Sequence, residues 1–254
     1  MTQTERLNYL ITYLINEQQA DIQIPQNISD KKRLLRSLMN IRPPIKADDE
    51  FLKIQNEYLQ LEIAETGVTD AAALPFIQER ICLWQGDITT LKCGAIVNAA
   101  NSRMLGCFVP CHKCIDNAIH TYSGVQLRAE CEQIMLKQGY DEPTGQAKIT
   151  KAYNLPCDYI IHTVGPIVSG KLTKTDCELL TFCYKSCLET AERNNIKSIA
   201  FCCISTGEFH FPNDKAAEIA VKTVKEYLKN SNIERVIFNV FKDEDKAIYA
   251  KLLG

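Results

Sequence analysis

Four potential metal ligands lie close together in one short stretch of the chain. Cys107, Cys111, His112 and Cys114 fall within eight residues. Thiolate and imidazole groups suit Zn²⁺ in tetrahedral geometry, and three protein ligands would leave a position open for water or substrate. Because adjacent Cys111 and His112 are poorly placed to turn toward the same ion, we predict that one zinc ion per chain is held by Cys107, His112 and Cys114. The alternatives are a closed structural site with Cys111 as the fourth ligand and a cysteine-rich loop without metal.

The same stretch resembles half of a deaminase motif. Residues 110–114 read Pro-Cys-His-Lys-Cys, which matches the P-C-x-x-C half of zinc nucleobase deaminases. Their other half is an upstream H-x-E that carries the third ligand and the proton shuttle. Here His112 is the first histidine of the chain, and no upstream cysteine is followed two residues later by glutamate. The sequence therefore argues against a deaminase.

Alternating strands and helices must position this stretch. From residue 81 onward, short β-branched runs alternate with longer amphipathic patterns. We predict a strand beginning at residue 81 and further strands at 95–99, 148–152, 159–164, 198–205 and 235–241. We predict helices at 115–138, 177–194, 214–230 and 243–253. Continuous apolar runs such as 199–204 indicate strands covered on both faces. The predicted fold is therefore α/β, a three-layer α/β/α sandwich with a mixed, mostly parallel central sheet.

The first 75 residues have a different pattern. Apolar residues three and four apart form a first helical face: Leu7, Leu10, Ile11, Leu14 and Ile15. A second helical pattern begins near Leu34 and stops at the Pro43-Pro44 pair, and a third begins near Asp48 and ends at Gly67. We therefore predict a helical N-terminal extension over residues 1–75 and an α/β domain over residues 76–254.

Composition limits the classes of partner. The chain of 254 residues has 29 basic and 31 acidic residues, so its net charge of −2 offers no broad attraction for nucleic acid. The N-terminal stretch lacks the apolar core of a secretion signal, and no run is long enough to cross a bilayer. We expect a soluble cytoplasmic protein without nucleic-acid or membrane partners. Its twelve cysteines should be mostly reduced, and most should pack as small hydrophobes.

Three polar segments directly follow predicted strands, at residues 86–87, 98–101 and 205–209. Ligands in α/β sheets bind beyond the carboxyl ends of the strands, so we expect these segments to converge in one crevice. Small residues around Gly207 would let backbone N–H groups approach a diphosphate. An ordinary surface turn would also explain this segment.

Four strings in this order resemble the macrodomain family of ADP-ribose-binding modules. They are GDIT from residue 86, VNAANS from residue 97, LP followed by IHTVGP from residue 155, and ISTGEFHFP from residue 204. The resemblance spans about residues 84–253. The metal-capable loop further resembles that of the zinc-containing macrodomains, microbial protein-ADP-ribose hydrolases that also carry a helical N-terminal extension.

The resemblance implies a binding role for individual residues. Asp87 would accept a hydrogen bond from the adenine amine, and Ile88 would add a backbone contact. Asn101 would contact the distal ribose, Phe209 would pack on that ribose, and Phe241 would stack on adenine. The segment that would hold the diphosphate comprises Ser205, Thr206, Gly207, Glu208 and Phe209. A turn-forming aspartate or asparagine and ordinary core aromatics are the alternatives.

Asp116, which opens a predicted helix, is implied to act with Asn101 in catalysis, as a general base or by orienting the ribose. A first-turn carboxylate favoured by the helix dipole is the alternative. Glu208 stands where the family usually has an apolar residue, and its charge would repel a diphosphate. We therefore expect its side chain to point away. We expect His120 and His162 to pack rather than to catalyse.

The resemblance implies a zinc-dependent hydrolase that removes mono-ADP-ribose from modified protein side chains, with aspartate or glutamate linkages suggested. The bond cleaved would join ribose C1″ to the side chain, and ADP-ribose would be released. Two other functions share the same binding loops: a non-catalytic reader of ADP-ribose and a deacylase of acyl-ADP-ribose. The zinc would activate water, orient the ribose or fix the loop.

Overall fold

The computed structural model describes residues 1–254 and contains eight α-helices and eight strands. The helices are α1 (Gln3–Glu17), α2 (Ile28–Ile41), α3 (Asp49–Thr66), α4 (Ile115–Ser123), α5 (Val125–Gln138), α6 (Lys174–Arg193), α7 (Asn213–Leu228) and α8 (Asp243–Leu253). The strands are β1 (Thr69–Asp70), β2 (Ile81–Gln85), β3 (Leu91–Lys92), β4 (Ala95–Ala100), β5 (Ala147–Lys151), β6 (Tyr159–Val164), β7 (Ser198–Phe201) and β8 (Arg235–Val240).

Six strands form one sheet in the order β2-β8-β7-β4-β6-β5. All neighbouring strands are parallel except β5, which runs antiparallel to β6. β4 and β7 share only two residue pairs, Ala95 with Ile199 and Ile96 with Ala200, whereas β4 pairs with β6 along its whole length. After β4 the chain continues to β5 and β6 on one side, and after β7 it continues to β8 on the other side. The direction therefore switches between β4 and β7, which is where ligands bind in doubly wound folds.

Helices cover the sheet in two groups. α4 packs against β4 and α5 against β5, while α6, α7 and α8 pack side by side and contact β5, β6, β2 and β8. Ile96, Val97, Ile160, Ile161 and Ile199 are fully buried between the layers. The predicted α/β class with a mixed, mostly parallel sheet is confirmed. None of the helices combines the length and apolarity needed to cross a bilayer.

Three predicted boundaries are wrong. α2 begins at Ile28 and not near Leu34, because the side chain of Asn27 caps the helix there. The helix predicted over 115–138 is two helices, because Gly124 takes φ +99° and separates α4 from α5. A Cβ at Gly124 would lie 2.6 Å from the side chains of Gln126 and Gln55, so the break also lets α3 approach closely. The strand predicted over 198–205 ends at Phe201, because β4 no longer runs beside it. Residues 202–205 become part of the crevice instead.

The first three helices form a small core of their own. Apolar side chains of α1, α2 and α3 are buried together with Val125 from α5. Each helix begins at a side-chain cap, which is Thr2 for α1, Asn27 for α2 and Asp48 for α3. The helical part ends at Thr66, after which β1 pairs with β3 and joins the extension to the α/β domain.

Two ion pairs within the extension differ in burial. Breaking each of them should therefore lower the free energy of unfolding by a different amount. Arg42, with a side chain only 1% exposed, binds both carboxylate oxygens of Glu17 at 2.7 and 2.8 Å. Replacing it by methionine leaves the Glu17 carboxylate unpaired, so Arg42→Met should lower the free energy of unfolding by about 3 kcal/mol. Arg6→Met is the matched control, since its partner Glu57 is 42% exposed, and it should cost less than about 1 kcal/mol. Urea unfolding measures both, and equal losses would contradict the assignment.

Candidate active site

The loop between β4 and α4, residues 102–114, is here called the metal loop. It brings the three predicted ligands together: Cys107 Sγ lies 3.6 Å from His112 Nδ1, and the ligand atoms of Cys107, His112 and Cys114 all lie within 4.8 Å of one another. Ligands of a tetrahedral zinc ion lie about 3.5 to 3.8 Å apart, given Zn–S and Zn–N distances of about 2.3 and 2.0 Å. The donor set fits a zinc ion with three protein ligands.

The side chain of Cys111 points away from Cys107, His112 and Cys114. Its Sγ lies 3.3 Å from the carbonyl oxygen of Arg33 on α2, and its backbone N–H donates to Asn40 Oδ1 at 2.8 Å. The residue takes φ +54° in a turn that the N–H of His112 closes by donating to the carbonyl of Val109 at 3.2 Å. This geometry agrees with leaving Cys111 out of the predicted ligand set.

A second group of metal-binding residue types is buried behind the metal loop. His120, Cys131 and His162 also place ligand atoms within 4.8 Å of one another. Both ring nitrogens of His162 are already engaged, with the amide of Asn98 at 3.1 Å and the hydroxyl of Thr150 at 2.9 Å. Burial lowers the pKa of His162 to about 3, so the ring is neutral. His120 is buried as well, and neither of its ring nitrogens has a hydrogen-bond partner, although Nε2 lies 3.5 Å from Asp116 Oδ1. The packing role expected for the two histidines stays a prediction.

Asp116 lies in the first turn of α4 and is only 4% exposed. Its Oδ1 accepts a hydrogen bond from Asn98 Nδ2 at 2.8 Å, and Asn101 Nδ2 approaches Oδ2 at 3.4 Å. Burial raises the pKa of Asp116 to about 6, while the Asn98 amide and the Arg128 guanidinium oppose that rise. The side-chain amides of Asn98 and Asn101, at the end of β4, thus enclose the carboxylate.

Asn101 holds the end of β4 against the metal loop. Besides Asp116, its Nδ2 donates to the carbonyl of Gly106 at 3.1 Å, and its Oδ1 accepts the N–H of Arg103 at 3.0 Å. Gly106 takes φ +79°, and a Cβ there would lie 2.7 Å from the ring of His120. His120 and Asn101 together fix the backbone at the start of the metal loop.

Residues 205–209, here called the amide loop, leave three successive N–H groups free. The N–H groups of Gly207, Glu208 and Phe209 have no acceptor in the protein. Ser205 takes φ +66°, and its buried hydroxyl also has no partner. A Cβ at Gly165 would lie 2.0 Å from that hydroxyl, so the loop after β6 must have glycine there. Successive unpaired amides form an anion-binding concavity.

The metal loop and the amide loop meet at one contact. Glu208 Oε1 lies 3.6 Å from His112 Nε2, on the opposite side of the ring from Cys107. The Glu208 side chain is 70% exposed, and its carboxylate faces the metal loop while its N–H remains free. Metal-bound histidines commonly have a carboxylate at their second ring nitrogen. The predicted metal ligands and the predicted diphosphate segment therefore lie side by side.

At the far end of the crevice, Asp87 follows the edge strand β2, and Phe241 follows the neighbouring strand β8. Asp87 is exposed, and its Oδ1 accepts the N–H and the hydroxyl of Thr89 at 2.9 and 2.7 Å. It therefore caps a turn and still presents its second oxygen to solvent. Phe241 is 76% exposed, so its ring has a free face for stacking. Ile88 is buried, and Phe209 is half-buried.

Sequence reasoning missed the residues that reach the metal loop from elsewhere. Arg36 on α2 donates to the carbonyl of His112 and to the side chain of Asn117. Arg128 on α5 donates to the carbonyls of Leu105 and Asn40 and stacks on the ring of Phe108 at 4.1 Å. These partners lie tens of residues apart along the chain, so no local spacing indicates them.

Comparison with known proteins agrees with this geometry. A family model described as Macro domain matches residues 97–220. A protein-ADP-ribose hydrolase of Treponema medium is 56% identical over the whole of both chains, and one of Staphylococcus aureus (strain MSSA476) is 49% identical over 96% of this chain and 93% of its own. A Trypanosoma brucei macrodomain in complex with ADP-ribose is 27% identical, covers 86% of this chain and 95% of its own, and superposes with a TM-score of 0.67. The open sheet, the free amides at its carboxyl edge and these likenesses place the chain in the macrodomain family.

Proposed function

We propose that this chain is a zinc-dependent hydrolase that removes mono-ADP-ribose from modified protein side chains. The contact between Glu208 and His112 carries the proposal, because it brings the candidate metal ligands close to the three free N–H groups of the amide loop. A protein that only binds ADP-ribose would need only the free N–H groups of the amide loop and the adenine end of the crevice. The names of the full-length relatives support the enzymatic alternative, since both are protein-ADP-ribose hydrolases.

In this proposal, ADP-ribose lies along the carboxyl edge of the sheet. Phe241 stacks on adenine, and the free oxygen of Asp87 accepts its amine. The three free N–H groups at Gly207, Glu208 and Phe209 hold the diphosphate. This order leaves the distal ribose between the amide loop and the metal loop.

The reacting end of the ligand would then face Asn101 and the triad. Zinc bound by Cys107, His112 and Cys114 would supply a Lewis acid there. Asn101, whose Nδ2 is fixed by Asp116 and Gly106, would offer the remaining lone pair of its Oδ1 to a ribose hydroxyl. The buried Asp116 would act through Asn101 as a positioning residue, because its carboxylate is enclosed by amides and has little access to water.

The reaction would be the addition of water across the bond between ribose C1″ and a side-chain oxygen. Water supplies the hydroxyl of the released ADP-ribose, and the protein side chain leaves as a carboxylate while a proton is released. A carboxylate leaving group fits the proposed aspartate or glutamate linkage, since it departs without needing a strong acid. All twelve cysteines of the chain are free thiols, which fits the reducing cytoplasm as its location.

Metal analysis tests the cofactor. We expect about one equivalent of zinc in the purified protein and its loss in Cys107→Ser and Cys114→Ser, because two ligands hold zinc poorly. Cys111→Ser is the matched control, since its thiol faces α2, and it should retain wild-type zinc. Less than about half an equivalent in the wild type, without recovery on adding zinc, would contradict the assignment.

Measurements of turnover distinguish a hydrolase from a non-catalytic reader of ADP-ribose and from a deacylase. Wild type should release ADP-ribose from a mono-ADP-ribosylated protein, and Asn101→Ala should lower kcat/KM about 100-fold because the ribose loses its orientation. Asn230→Ala, at an exposed position after α7, is the control and should leave the rate unchanged. Binding without release would identify a reader instead, and release from acyl-ADP-ribose alone would identify a deacylase.

A substitution of Gly207 in the amide loop tests where the diphosphate binds. A Cβ at Gly207 would meet no protein atom within 4 Å, so Gly207→Ala should leave the melting temperature unchanged. Its methyl group would stand between the free amides and a diphosphate, and we expect ADP affinity to fall about tenfold, or about 1.4 kcal/mol. Calorimetric titration measures the affinity. Wild-type affinity in a stable variant would place the diphosphate elsewhere.

A further inference from the structure

Asn117 lies beside Asp116 in the first turn of α4, and its polar groups face the metal loop. It is fully buried. Its Nδ2 donates to the carbonyls of Val109 at 3.0 Å and Cys107 at 3.4 Å, and its backbone N–H donates to Cys114 Sγ at 3.4 Å. One side chain and its own amide thus hold the loop at two of the three proposed metal ligands.

Arg36 completes these contacts from the helical extension. Its guanidinium donates through Nε and Nη2 to Asn117 Oδ1 at 3.2 and 2.8 Å, and Nη2 also donates to the carbonyl of His112 at 3.0 Å. The guanidinium lies 6.0 Å from the centre of the Tyr122 ring. Arg36 and Asn117 therefore reach the backbone or the sulfur of every proposed ligand residue.

We propose that Arg36 and Asn117 form a clamp that preorganises Cys107, His112 and Cys114 for the metal ion, an inference that rests on the proposed zinc site. The three ligands lie on a loop with no helix or strand of its own. Ordering such a loop costs conformational entropy, and the clamp meets that cost during folding rather than during metal binding.

The geometry requires arginine at position 36. Its planar fork donates to an amide oxygen and a carbonyl at once, whereas a lysine ammonium offers one nitrogen on a flexible stem. Other contacts keep α2 in place without it. Asn40 Oδ1 accepts the N–H of Cys111 at 2.8 Å, and Asn40 Nδ2 donates to Thr121 at 2.9 Å. Replacing Arg36 should therefore loosen the metal loop without releasing the helix.

The test measures zinc release to an excess of a coloured chelator from zinc-loaded protein. Arg36→Met should release zinc about tenfold faster than wild type, as is usual when a hydrogen bond behind a metal ligand is lost. Arg33→Met is the matched control, because it removes the same charge from the same helix at an exposed side chain without a hydrogen-bond partner. It should release zinc at the wild-type rate, and both variants should melt near the wild-type temperature.

Equal release rates in wild type, Arg36→Met and Arg33→Met would overturn the clamp and leave the zinc-dependent function standing. A wild type that holds no zinc would overturn both proposals. If Arg36→Met does not fold, Arg36→Lys decides the question, since it keeps the charge and most of the aliphatic stem. Faster release from Arg36→Lys supports the clamp, and wild-type release from it overturns the clamp.

Discussion

Two adjacent buried polar side chains in the first turn of α4 must both find partners, and the site depends on how they do so. Asp116 faces Asn98 and Asn101 at the end of β4, whereas Asn117 faces the carbonyls of the metal loop. An unpaired buried polar group costs about 1 to 3 kcal/mol, so conformations that leave either residue unsatisfied are disfavoured. Because the two residues are covalent neighbours on a rigid helix, the end of β4 and the metal loop keep a fixed relation.

The open sheet supplies the space that this arrangement needs. β4 and β7 separate after two residue pairs, so the chain after Phe201 leaves the sheet instead of extending it. The left-handed backbone of Ser205, packed against Gly165, then turns the following amides away from the protein. Unpaired successive amides favour an anion, and the contact of Glu208 with His112 joins the amide loop to the metal loop.

The helical extension contributes to the site although it supplies none of the predicted ligand-binding residues. Arg36 and Asn40 on α2 hold the backbone of the metal loop, and Arg128 joins that loop to the carbonyls at the end of α2. A loop that has no regular hydrogen bonding of its own needs such external partners to keep one shape. The extension and the α/β domain thus share one polar interface behind the crevice.

The sequence by itself determined the fold class, most element bounds and the three metal-ligand candidates, because periodicity and ligand spacing act over short stretches. It missed the break at Gly124 and the early end of β7, since a close approach of α3 and the separation of β4 and β7 cause them. Only the tertiary structure decided that Asp116 is enclosed by amides, that Glu208 faces His112 and that Arg36 supports the metal loop. Those contacts join residues far apart in the chain, so their geometry arises only when the layers pack.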